Sequence, residues 1–235
     1  VQTLAGHTGQ ATGAAFSPDG TRLATASQDG TAKVWDITPA GNHELLTIAA
    51  AGTNLHDIAY SPDGTRFAAA IPADKIAKIW NAQTGKELLV LSGHTGDVSD
   101  VAFSPNGLYL ATTSIDQTTI VWDTRTGKPL LNLSTPTYVA PLGPHVAFSP
   151  DGRRIATAAA NGAAQIWDAE TGQALVTLCC HSPSFVRGIA FSPDGTRLVT
   201  GGFDNLARVW DAETGRELLK LSGHTAGIWD VTFSP

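Results

Sequence analysis

The chain has 235 residues and a net charge of −6, from 15 basic and 21 acidic side chains; only 15% of residues are charged, while 42% are hydrophobic. Lys and Arg are scattered rather than clustered, so the patch that neutralises phosphates is missing and no nucleic-acid partner is expected. No apolar run approaches the roughly 18 to 20 residues that cross a bilayer, so no membrane partner is expected either. The two cysteines, Cys179 and Cys180, are adjacent and poorly placed to bridge one another, which leaves no disulfide framework and favours a reducing, cytoplasmic compartment.

Read in chain order, the elements recur. Residues 1–4 read as a strand closing a preceding unit, because Gly6-His7 follows them. An aromatic-Ser-Pro segment then begins at Phe16, Tyr60, Phe103, Phe148, Phe191 and Phe233. Trp35, Trp80, Trp122, Trp167 and Trp210 keep step with it, separated by 45, 42, 45 and 43 residues. From aromatic to Trp is 19 residues in four copies and 20 in the copy that starts at Tyr60. In the third copy, short runs at 101–103, 110–114, 119–122 and 130–133 predict four strands. They are separated by turn signals at Ser104-Pro105-Asn106-Gly107, Asp116-Gln117 and Thr126-Gly127. Runs such as Leu23-Ala24-Thr25-Ala26 and Ile155-Ala156-Thr157-Ala158 do not alternate, which predicts sheets covered on both faces, as in a radial stack. Residues 229–233 read as the first strand of a further unit.

The combination Gly93-His94, Phe103-Ser104-Pro105-Asn106-Gly107, Ser114-Ile115-Asp116, Val121-Trp122-Asp123 and Thr126-Gly127 resembles a WD40 repeat, and five successive copies cover essentially the whole chain. The resemblance implies an all-β propeller of four-stranded antiparallel blades around a central channel. The expected content is five full blades plus one extra strand at each end. Residues 1–235 then form a single segment of a propeller of six, seven or more blades. If this segment is made alone, its open strand edges favour association.

His7, Ser27, Asp29 and Trp35 recur as His94, Ser114, Asp116 and Trp122. A His, a hydroxyl and an Asp are the parts of an acyl-transfer catalyst. A catalytic centre is needed once, however, and this set appears twice with the same offsets. The WD40 resemblance implies instead a hydrogen-bonded chain from Trp through Ser or Thr and His to Asp, so these eight residues are assigned to stability and none to catalysis. Other copies depart from the pattern. Ala51 replaces the His and Ile71-Pro72-Ala73-Asp74 the Ser-x-Asp in the second; Asn161 replaces Asp in the fourth; Gly202 replaces Ser in the fifth, where His181 is displaced by one residue. Those blades are expected to lean on packing. Cys179-Cys180-His181 falls short of the four ligands of a structural zinc and aligns with the ordinary repeat positions Ser222-Gly223-His224. No metal and no other cofactor is expected.

Recognition is expected where the copies differ. The positions six and four residues before each aromatic read Gln10/Thr12, Asn54/His56, Asp97/Ser99, Leu142/Pro144, Phe185/Arg187 and Gly227/Trp229. By the WD40 resemblance these point to a ligand-binding top face, and Asn54, His56, Asp97, Phe185, Arg187 and Trp229 are the candidate binding residues. The proline-bearing stretch 134–144 and the insertion 38–43 read as loop variations at opposite rims. Two functions compete. One is a non-catalytic scaffold or sensor binding a protein or peptide, within a larger signalling protein. The alternative is an enzyme of hydrolase or lyase type with its site in the propeller. An enzyme requires an unrepeated cluster of ionisable residues facing the channel. His56, Asp57 and His145 are the nearest candidates, and no fixed spacing joins them, so the reading is that the protein is not an enzyme.

Overall fold

The Ser-Pro-x-Gly turns behave as their residue types require. In all five copies the glycine N–H (Gly20, Gly64, Gly107, Gly152, Gly195) donates to the serine carbonyl three residues earlier at 2.8–2.9 Å. These glycines have φ between 68° and 71°, the left-handed region where a Cβ is unfavourable. The serine hydroxyl completes each turn, as when Ser104 Oγ donates to Asn106 and receives the Tyr109 N–H at 2.9 Å. Such turns reverse the chain tightly, so successive strands pair as neighbours.

The computed structural model describes residues 3–41, 43–50, 54–134, 145–158, 162–179, 181 and 184–234. The first blade comprises β1 (Ala11–Phe16), β2 (Arg22–Ser27), β3 (Thr31–Asp36) and β4 (His43–Ala49). The second has β5 (Ile58–Tyr60), β6 (Arg66–Ile71), β7 (Ile76–Asn81) and β8 (Glu87–Ser92). The third has β9 (Val98–Phe103), β10 (Tyr109–Ser114), β11 (Thr118–Asp123) and β12 (Pro129–Ser134). The fourth has β13 (Val146–Phe148), β14 (Arg154–Ala158), β15 (Ala163–Asp168) and β16 (Ala174–Cys179), and the fifth β17 (Val186–Phe191), β18 (Arg197–Gly202), β19 (Ala207–Asp211) and β20 (Glu217–Leu221). Each blade is one antiparallel meander in sequence order. The extra residue of the second copy is absorbed in the β6–β7 turn, where Lys75 takes a φ of 60°.

First strands of successive blades lie side by side, β1 by β5, β5 by β9, β9 by β13 and β13 by β17, around a cavity of about 420 Å³ that residues from all five blades line. The second strands are buried on both faces, as the unalternating runs predicted: Ala24, Ala26 and Ala156 are fully buried. Small side chains there let neighbouring sheets approach, while larger ones further out fill the widening gap between blades.

One contact of the inter-blade seam recurs at all four junctions and another at two of them. In the second to fifth blades the glycine of the β3–β4-type turn sits under two apolar side chains from the outer strand of the preceding blade. Gly85 lies under Leu46 and Ile48, Gly127 under Leu89 and Leu91, Gly172 under Leu131 and Leu133, and Gly215 under Val176 and Leu178. On the second-strand side, Arg66 Nη2 donates to the Gly107 carbonyl at 3.0 Å and its guanidinium lies 5.8 Å from the Phe103 ring centroid. Arg154 does the same to Gly195 at 2.7 Å and to Phe191 at 5.4 Å.

The two outward faces of the array lack this cover. Phe16 is 67% exposed, whereas its counterparts Tyr60 and Phe191 are buried; Leu221 is 49% exposed, whereas Leu91, Leu133 and Leu178 are buried. The expected extra strands differ from expectation in one respect. Val1 and Gln2 lie outside the described residues, and residues 3–5 and 229–234 carry no β-ladder. Residues 230–231 nevertheless run hard against β17: a Cβ on Gly188 would lie 2.8 Å from the Val231 nitrogen and 2.9 Å from Asp230 Cα. Ala51, the stretch 135–144 with Leu142 and Pro144, Asn161 and Cys180 also lie outside the described residues.

Candidate binding site at the channel mouth

His, Asp and hydroxyl groups gather in two kinds of place. The first is inside the blades. Trp122 Nε1–H donates to Thr112 Oγ1 at 2.8 Å, Thr112 Oγ1 lies 2.7 Å from His94 Nε2, and His94 Nδ1 lies 3.1 Å from Asp116 Oδ2. Because the indole is only a donor and the carboxylate only an acceptor, the protons run one way along the chain, from Trp to Thr to His to Asp. The first blade repeats this with Trp35, Thr25, His7 and Asp29 at 2.8, 2.7 and 3.0 Å. The linking hydroxyl is therefore Thr25 or Thr112, and the expectation for Ser27 and Ser114 is corrected: each serine Oγ instead accepts the N–H of Asp29 or Asp116 at 3.1 Å and braces the turn. Thr112 is fully buried and its oxygen is occupied by the indole, so this triad-like geometry has no reachable nucleophile.

The same shift of position explains the other blades. Trp210 Nε1–H donates to Thr200 at 2.9 Å, and His181 bridges Thr200 at 3.0 Å and Asp204 at 2.6 Å. The fifth blade thus keeps the whole relay, contrary to the expectation built on Gly202, and Arg208 adds a 2.8 Å bond to Asp204. In the fourth blade Trp167 donates to Thr157 at 2.8 Å. Only the second blade has Ala69 at the hydroxyl position, and there Trp80 stacks on Phe67 with centroids 5.4 Å apart.

The second place is the channel. Asp57, Asp100 and His145 all line the central cavity with Asp230. Asp57 bonds directly to Asp100. Asp100, buried between blades, accepts the Val101 N–H at 3.0 Å and, from the next blade, the Val146 N–H at 2.7 Å. His145 Nδ1 lies 3.7 Å from Asp100 Oδ2. Burial pushes both carboxyl pKa values up. The Asp100 charge and the contact between the two carboxyls raise Asp57 further, while that contact and two backbone N–H groups pull Asp100 back, so the pair as a whole stays above the ordinary carboxylate range. Burial pushes the His145 pKa down and keeps it neutral. A Cβ on Gly13 would lie 3.2 Å from Asp57 Oδ1, so glycine there makes room for the pair.

This cluster corrects the sequence expectation that no fixed spacing joins Asp57 and His145. Both stand three residues before a repeat aromatic, in register with Gly13, Asp100, Gly188 and Asp230. The missed signal was that one repeat position carries glycine or an ionisable residue in every copy.

Above the channel, part of the predicted rim set converges. Arg187 stacks on Trp229, its guanidinium carbon 4.7 Å from the ring centroid. Trp229 is 55% exposed and meets Phe203 edge-on at 5.4 Å; Phe203 in turn meets Phe185 at 6.4 Å. His56 lies within electrostatic range of both Arg187 and Asp97, and burial, followed by the Arg187 charge, lowers its pKa. Asp97 is exposed and Asn54 half-buried; neither makes a side-chain bond to this aromatic ledge among the described residues. Phe203 was missed by the sequence reading. It fills a rim-turn position held by Gln28 and Ile115 in the first and third blades. Cys179 is exposed, and His181 is engaged within its relay rather than available as a ligand.

Repeating four-stranded blades, with a Trp relay inside several of them, define the fold as a β-propeller. The profile described as WD domain, G-beta repeat, matches residues 1–36, 43–81, 85–123, 144–168 and 172–211, and the chain belongs to the WD40 repeat family. It is similar to WD40 repeat-containing protein HOS15 of Arabidopsis thaliana, 32% identical over 47% of this chain and 19% of that protein. It is also similar to Protein HIR1 of Mycosarcoma maydis, 29% identical over 60% of this chain and 15% of HIR1. Nuclear distribution protein PAC1 of Arthroderma otae is 30% identical over 50% of this chain and 30% of PAC1. The matched segment therefore spans less than a third of each of these relatives.

Proposed function

We propose that the chain is a non-catalytic scaffold or sensor module that binds a protein or peptide partner on the top rim of the channel. Residues 1–235 serve as one segment of a propeller of six, seven or more blades, inside a larger cytoplasmic signalling protein. The observation that carries the reading is the exposed Trp229, held by Arg187 and Phe203 beside the channel mouth. An exposed aromatic fixed by its neighbours offers large contact area with little ordering cost, and Trp and Arg are enriched where interface energy concentrates. Asn54, His56, Asp97 and Phe185 complete the face. Membership of a family whose similar members here are much longer chains supports a part within a larger protein, and the uncovered Phe16 and Leu221 faces support further blades. Scattered basic residues speak against a nucleic-acid partner. Among the described residues, no helix is long and apolar enough to cross a membrane.

A pull-down comparing the chain with a variant carrying Phe185→Ala, Arg187→Ala and Trp229→Ala tests the face. Loss of specific partners is expected, and equal recovery of all of them overturns the reading. The Asp57–Asp100–His145 cluster favours the alternative, an enzyme working in the channel. Against it stand the bonds that already occupy both oxygens of Asp100. Turnover of a substrate that disappears in Asp57→Asn while partner capture persists would establish the enzyme instead.

A further inference from the structure

Arg187 is a cation without a carboxylate of its own. It is half-buried at the channel mouth, sits over the Trp229 ring with its guanidinium carbon 4.7 Å from the centroid, and takes part in no ion pair among the described residues. Three aspartates lie within its electrostatic reach, Asp57, Asp100 and Asp230. None of them forms an ion pair with Arg187 among the described residues. Asp57 and Asp100 are buried against one another; Asp100 also accepts the Val101 and Val146 N–H groups, and Asp230 Oδ1 accepts the Val231 N–H at 2.8 Å. Stacking on an indole occupies the face of a guanidinium and leaves its N–H edge available, and that edge matches a carboxylate bidentately. Beside it runs the continuous ledge of Trp229, Phe203 and Phe185.

We propose, on the basis of the rim reading above, that Arg187 seated on Trp229 is the receptor for one carboxylate of a partner peptide. The carboxylate is that of an Asp or Glu side chain adjacent to an aromatic or large aliphatic residue, which lies on the Trp229–Phe203–Phe185 ledge. One cation among several acids favours a single negative charge. The exposed Asp97 and Asp230 would repel a phosphate dianion more strongly than a carboxylate, and they also discourage longer acidic tracts. His56 is half-buried within electrostatic range of Arg187, and burial, followed by that charge, lowers its pKa.

The test is selection of random peptides of about twelve residues on the complete 235-residue chain, followed by solution titration of the strongest binder. Enriched peptides are expected to carry Asp or Glu within two positions of an aromatic or Leu. Converting that residue to Asn or Gln in the peptide should weaken binding about tenfold or more. Arg187→Gln should produce a similar loss, and Arg187→Lys a smaller one. The peptide-side change reads the proposal even if an Arg187 variant folds poorly. Enrichment of Lys- or Arg-rich peptides, tighter binding of a phosphoserine version, or indifference to the peptide carboxylate each overturns it, as does enrichment no greater than on an unrelated protein. If Trp229→Ala abolishes binding while the carboxylate is dispensable, the rim reading stands and the carboxylate receptor falls. If no rim variant matters, both fall.

Discussion

His94 lies 3.1 Å from Asp116 and His145 lies 3.7 Å from Asp100, yet the two pairs belong to different kinds of site. The first pair closes a one-way chain of donors and acceptors inside a single blade and recurs with its threonine in the first and fifth blades. The second pair exists once and joins different blades at the channel wall, beside Asp57, where burial pushes both carboxyl pKa values up. The same side chains therefore serve as an internal brace in one place and as a wall between blades in the other. Repetition separates the two: the brace recurs from blade to blade, whereas the channel cluster occurs once.

Breaking the brace should have the largest effect. Thr112→Val leaves the buried Trp122 N–H and His94 Nε2 without their common partner, and is expected to destabilise the chain by about 2–4 kcal/mol. Denaturant midpoints check this; an unchanged midpoint would remove the relay from the stability account.

The channel pair should be read through pH. The Asp57 proton is held more tightly in the folded chain than in the unfolded one, where the ordinary value is 3.8. Its contribution is thus full below that value and lost as pH rises through the raised folded value. Asp57→Asn, whose amide can donate to Asp100 at any pH, should abolish that loss and be the more stable form at alkaline pH, by about 1 kcal/mol or more. Asp116 responds in the opposite sense. Burial works to raise it, but the Thr118 hydroxyl and the Thr95 N–H outweigh burial and hold it at about 2. Its contribution is present above 3.8 and is lost as pH falls toward 2. Thermal midpoints from about pH 2 to about pH 9 should therefore diverge between Asp57→Asn and Asp116→Asn at opposite ends. Parallel curves would dissolve the distinction between the two sites.

The smallest effect sharpens the assignment of the relay hydroxyl. Ser114→Ala removes only the turn bond to the Asp116 N–H and is expected to cost about 0.5–1.5 kcal/mol, less than Thr112→Val in the same blade. A larger loss for the serine would restore it to the relay.

Much of the fold was legible because its causes are local. The aromatic-Ser-Pro and Trp spacings mark strands, and Pro and Gly mark turns, within a stretch the chain traverses before it meets any neighbour. The relay was legible in kind but not in detail. Thr25 and Ser27 lie two residues apart on one face of β2, and the reach of the Trp35 indole, paired opposite Leu23, decides which hydroxyl it meets. The rim was partly legible: Arg187, Trp229 and Phe185 were found as irregularities, while Phe203 was hidden in a turn that carries no aromatic in the first or third blade.

By itself, the sequence determined that this chain forms repeated four-stranded sheets and where each would turn, because strand pairing and turn geometry depend on residues a few positions apart. Only the tertiary structure decided that Asp57, Asp100 and His145 share one wall and that Arg187 comes to rest on Trp229. Residues more than forty positions apart meet only after successive sheets have wrapped around a common axis, and the angle of that wrapping is set by side-chain volumes summed over every seam between blades.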